Sequence, residues 1–121
     1  MSIAFLKDPS NPALAKDPTV KLYRQIMKKY APEGDPNDVY HVYAMAVAYT
    51  FIDALKRAGN PPTRDGIMRA VTHLNETNPF LLKGISVTTT PTDHFPVKQA
   101  QLETWRNGNW HLLGKPVSAR G

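Results

Sequence analysis

The sequence predicts an α/β domain in which three helices come first, and a short strand and an antiparallel β-hairpin come last. Three observations carry this. Apolar residues between Asp17 and Asn75 recur at helical spacing, β-branched residues gather after Gly84, and Asn107-Gly108 separates two apolar-containing runs. Asn-Gly in that setting is the strongest short-range hairpin signal, because a two-residue type I′ turn needs positive φ at both central positions.

Residues 1–17 are dense in turn formers, with Asp8-Pro9, Asn11-Pro12 and Asp17-Pro18. They read as an extended, poorly anchored lead-in to a unit spanning 18–121. Asp17 is placed to cap a helix whose first residue is Pro18. Val20, Tyr23, Met27 and Tyr30 then fall on one face, with Lys21, Arg24, Lys28 and Lys29 mostly elsewhere, which predicts a helix over 19–30. Asp35-Pro36-Asn37-Asp38 repeats the start signal for a second helix over 37–58. That helix is apolar on nearly every face between Val42 and Leu55, the pattern of a helix buried on most sides. Ala44, Ala46 and Ala48 permit close approach by a neighbour, Lys56 and Arg57 suit the C-terminal dipole, and Gly59 ends the helix.

Thr63 is the N-cap of a third, amphipathic helix over 63–75, with Ile67, Val71 and Leu74 on its apolar face. Asn78-Pro79 and Gly84 frame PFLLKG as a loop. Strands follow near 84–88, 97–106 and 109–114, the last two paired about Asn107-Gly108. Trp105 and Trp110 lie five apart across that turn, so they read as buried, structural cross-strand neighbours.

Bulk composition excludes several functions. At 121 residues the chain fits one domain able to bury roughly two thirds of its unfolded surface. No stretch approaches the roughly 18 apolar residues of a membrane span. The start, MSIAFLKDPSNP, meets charge and proline too early for an export signal, so none is expected in the chain as written. Zero cysteines exclude disulfides, thiol catalysis and cysteine-ligated zinc. The net charge of +5 comes from dispersed Lys and Arg, not from one basic face, which argues against nucleic acid as a partner.

Catalytic and metal chemistry is hard to build from these residues. His41, His73, His94 and His111 show no metal-ligand spacing, and no serine stands in a nucleophile motif. Asp93-His94 falls in a turn between strands, where Asp favours backbone bonding. No enzyme activity, metal or cofactor is expected. Tyr40, Tyr43 and Tyr49 on the long helix have two readings. One is packing; the other places Tyr40 or Tyr43, near the helix start, at the lip of a ligand cleft.

The order of three segments, ALKRAGNPPTRDGIMRA, then GISVTTTPTDHFPVKQAQL, then the NGNW hairpin, resembles the C-terminal part of type I solute-binding proteins of bacterial ABC transporters. The branch is the branched-chain amino acid receptors, and the resemblance runs from about Leu6 through almost all of the chain. It implies an incomplete periplasmic-binding-protein-like I fold, the last third of a protein that holds ligand between two α/β lobes. It further implies capture of a small organic solute, such as an amino acid or related carboxylate, for a membrane permease, and a periplasmic location. The family's aromatic contribution near the start of the long helix falls on Tyr40 first and Tyr43 second. The alternative is a stand-alone protein-interaction module derived from that fold. With its second helix uncovered, the isolated chain is expected to form a homo-oligomer and to show no measurable affinity for amino acids.

Overall fold

Each helix begins where an acceptor side chain meets otherwise unpaired backbone N–H groups. In the computed structural model, which describes residues 1–119, Asp17 accepts from Thr19 and Val20 at the start of α1 (Pro18–Tyr30). Asp38 accepts from Tyr40 at the start of α2 (Val39–Arg57), and Thr63 from Gly66 at the start of α3 (Arg64–Val71). Each such cap contributes about 1 kcal/mol. A Cβ on Gly66 would collide with the Ala58 carbonyl oxygen, so glycine is what lets α3 begin directly against the end of α2.

The strands form two antiparallel sheets. β1 (Ser2–Ala4), β4 (Gln99–Arg106) and β5 (Asn109–Ser118) make one, in the order β1-β4-β5; β2 (Asn75–Glu76) pairs with β3 (Val87–Thr88) in the other. The β4–β5 hairpin turns at Asn107 and Gly108 with φ of 51° and 76°. Both signs match the type I′ geometry read from Asn-Gly. The core gathers Tyr23 and Met27 of α1, Val42 and Ala46 of α2, and Leu74, Phe80, Leu81, Leu82, Ile85 and Val87 of the segment that follows α3.

Three expectations change. The lead-in is anchored: Ser2, Ile3 and Ala4 pair with Glu103, Leu102 and Gln101. Leu82 N–H then donates to the Phe5 carbonyl and Lys7 N–H to that of Phe80, both at 2.9 Å. The short apolar run IAFL supplies the strand, and the proline-rich remainder hid it. The third helix ends at Val71, not 75. The Thr72 hydroxyl donates back to the Met68 carbonyl at 2.8 Å, and Leu74 N–H goes instead to the Thr89 hydroxyl at 2.9 Å. Asn75 and Glu76 are thereby released into β2, and the strand expected at 84–88 narrows to Val87–Thr88. PFLLKG is the expected loop, and its Phe80, Leu81 and Leu82 are all buried in the core.

α2 is left largely uncovered, as expected for the isolated chain. Only Val42, Ala46 and Ala54 are buried, whereas Val39, Tyr40, Tyr43, Val47, Tyr49, Phe51 and Ile52 are exposed. A helix apolar on most faces needs covering layers on most sides, and the described residues cover one. That side is held by polar bonds too. The Asn78 amide donates to the Ala46 carbonyl at 2.8 Å and accepts from Phe80 N–H at 3.0 Å, and Thr50 donates to buried Glu76.

Candidate functional site

The start of α2 is fixed from three directions. Asp38 caps it at 2.9 Å from Tyr40 N–H, and the buried Tyr23 hydroxyl reaches the Asp38 carbonyl at 3.5 Å. Arg24 of α1 donates to the Pro9 carbonyl and to Asn37 Oδ1, both at 2.8 Å, and so ties the loop before α2 to the lead-in. The first turn of α2 consequently faces β1 and the hairpin across a gap. This gap is a cavity of about 640 Å³, a size typical of sites for small molecules.

Tyr40 and Tyr43 both line it, together with Ile3 and Phe5 from the first strand region, Glu103 of β4 and Trp110 of β5. Tyr40 is 78 % exposed and Tyr43 about half exposed, so neither is consumed by packing. Tyr43 also lines a second, largely apolar cavity of about 300 Å³ beside Val47 and Phe51. Sequence reasoning missed Phe5, Glu103 and Trp110 as partners of the tyrosines. The one signal available was the alternation of β4, which puts Glu103 on the face of Trp105 and hence of its cross-strand partner Trp110.

The tryptophans pair directly, edge to face, with ring centroids 5.3 Å apart. Trp105 is nevertheless 56 % exposed, which corrects the expectation that both are buried: the described residues put no layer over its outer side. The Asn11 amide donates to the Trp110 carbonyl at 3.1 Å and anchors the hairpin to the lead-in.

Electrostatically the cavity is acidic. Burial, and then the charge of Asp8, push the Glu103 carboxyl above its ordinary value. Asp93, by contrast, is held below its ordinary value by Lys98, 2.7 Å away, and by the Phe95 N–H. Its neighbour His94 donates to the Pro91 carbonyl at 3.1 Å, so this pair serves the 90–98 turn. Among the described residues no three His, Cys, Asp or Glu side chains are grouped as a metal ion would need. No helix among them is long and apolar enough to cross a membrane.

No family model and no curated protein matches the chain in sequence. In three dimensions it is similar to the crystal structure of a branched chain amino acid ABC transporter from Thermus thermophilus with bound valine. The TM-score is 0.75 at 18% identity, over 97% of this chain and 32% of that one. The fold is a partial periplasmic-binding-protein-like fold. The chain spans about a third of the length of that neighbour.

Proposed function

We propose that the chain belongs to a solute-binding component of an ABC transporter, as the final third of a two-lobe receptor. The receptor takes up a small organic solute, such as an amino acid, in the periplasm and presents it to a membrane permease. Tyr40, and secondarily Tyr43, contact the solute. The observation that carries this reading is the likeness of nearly the whole chain to a valine-bound transporter protein, with both tyrosines lining a ligand-sized cavity. An aromatic ring on a small ligand contributes on the order of 1 kcal/mol.

The test is expression of the chain together with the polypeptide encoded beside it. A two-lobe product that binds a small solute, with affinity reduced about fivefold or more by Tyr40→Ala, is the expected result. Full affinity in both Tyr40→Ala and Tyr43→Ala would show that the contact lies elsewhere.

The exposed apolar row of α2 favours a second reading, a module whose partner is a protein. It moves ahead if the flanking sequence encodes no first lobe and the purified chain binds no solute.

A further inference from the structure

The cavity at the start of α2 has a charge pattern opposite to that of the chain. The protein carries a net charge of +5, yet the charged side chains that line the cavity are Asp8, Asp38 and Glu103, with no Lys, Arg or His among them. Two basic groups of the flanking segments are committed to other acceptors. Lys7 is paired with Asp17 at 2.9 Å, and Arg24 is held by the Pro9 carbonyl and Asn37.

The three carboxylates are not equivalent. Asp8 accepts from the Ser10 N–H and hydroxyl at 2.8 and 2.6 Å, and Asp38 is the cap of α2. Glu103 has no side-chain hydrogen bond and no ion pair among the described residues. Partly buried beside Asp8, its carboxyl is raised above its ordinary value, as a carboxylate lacking a countercharge should be. The remaining wall is aromatic, from Tyr40, Tyr43 and Trp110. Aromatic faces attract organic cations, and more strongly when water is displaced.

Resting on the receptor reading above, we infer that this cavity takes the positively charged, amine-bearing end of the solute and disfavours a carboxylate end. Glu103 supplies the charge-assisted hydrogen bond, and Tyr40, Tyr43 and Trp110 enclose the ammonium. A carboxylate placed there would add a fourth negative charge beside three others, whereas an ammonium satisfies the one carboxylate without a partner.

Three probes that share an isobutyl group test this on the 121-residue chain: isobutylammonium, isovalerate and neutral 3-methylbutan-1-ol, titrated into the millimolar range while the Tyr40, Tyr43 and Trp110 resonances are followed by NMR. Isobutylammonium is expected to shift them at the lowest concentration. Glu103→Gln should weaken that response about tenfold, the scale of one hydrogen bond to a charged group. Tyr40→Ala, at an exposed position that folding does not depend on, should weaken it about two- to tenfold. If isovalerate or the alcohol acts as strongly as the ammonium, the cavity remains a ligand site but the preference for a cation is wrong. Silence of all three probes overturns the cation assignment of this cavity, whereas the receptor reading stands or falls with solute binding by the two-lobe product.

Discussion

α1 and α2 follow one another in sequence, both start from an Asp cap, and both carry tyrosines, yet they end in opposite situations. Of the face its spacing announces, α1 buries Val20, Tyr23 and Met27, leaves only the terminal Tyr30 exposed, and keeps its lysines outside. α2 is far more apolar, yet it buries only one valine and two alanines, and leaves Val39, Tyr43, Val47 and Phe51, each four residues from the next, exposed. α1 is finished within these residues; α2 is finished on one side. An amphipathic helix states in its own sequence how many layers it needs, and α2 asks for more than the lead-in and the segment after α3 provide.

The largest break of the comparison is Tyr23→Ala. Tyr23 is 1 % exposed and touches the core from α1, so thermal or denaturant unfolding should show a loss of about 3–5 kcal/mol. A loss under about 1 kcal/mol would mean that α1 is no better covered than α2. Asn78→Ala comes next. It removes the donor to the Ala46 carbonyl and the acceptor of Phe80 N–H, leaves buried groups unpaired, and is expected to cost about 1–3 kcal/mol.

Asp17→Ala should cost about 0.5–2 kcal/mol through loss of the α1 cap. Burial raises the Asp17 carboxyl, but Lys7 and the Val20 and Thr19 N–H groups outweigh it and hold it below its ordinary value. A carboxyl lowered on folding stabilises the fold above its unfolded value, near 3.9, and that contribution is lost as pH falls through the folded value. The wild type should therefore lose stability faster than Asp17→Ala below about pH 4; parallel acid titrations would refute it.

The hairpin repeats the contrast on a smaller scale. Trp105 is more than half exposed and gains mainly from its edge-to-face partner, so Trp105→Ala should cost only about 0.5–1.5 kcal/mol. The smallest change in stability belongs to Val47→Glu combined with Phe51→Glu, within about 0.5 kcal/mol per exposed site. Its effect is on assembly. We expect the purified wild-type chain to scatter light as a dimer or larger, because exposed apolar rows associate, and the double variant to scatter as a monomer. A wild-type monomer at high micromolar concentration would show that the row does not drive association.

Local chemistry was legible in the sequence. Asp17, Asp38 and Thr63 are caps, and Asn107-Gly108 is a type I′ turn, because each depends on a few neighbouring backbone groups and on no distant contact. The three-helix-then-hairpin order followed from those signals and from periodicity. What the tertiary structure decided was every question of partnership. Ser2–Ala4 is a strand only because β4 offers it a ladder, and PFLLKG is core only because α1 and α2 close over it. Asn75-Glu76 leaves the helix because β3 and Thr89 supply better bonds. The same holds at the candidate site. Tyr40 and Tyr43 can be placed at a helix start from sequence, but Glu103 and Trp110 reach them across sixty or more positions of chain. Caps and turns are set by neighbours in sequence; cavities and cores are set by segments that meet only after folding.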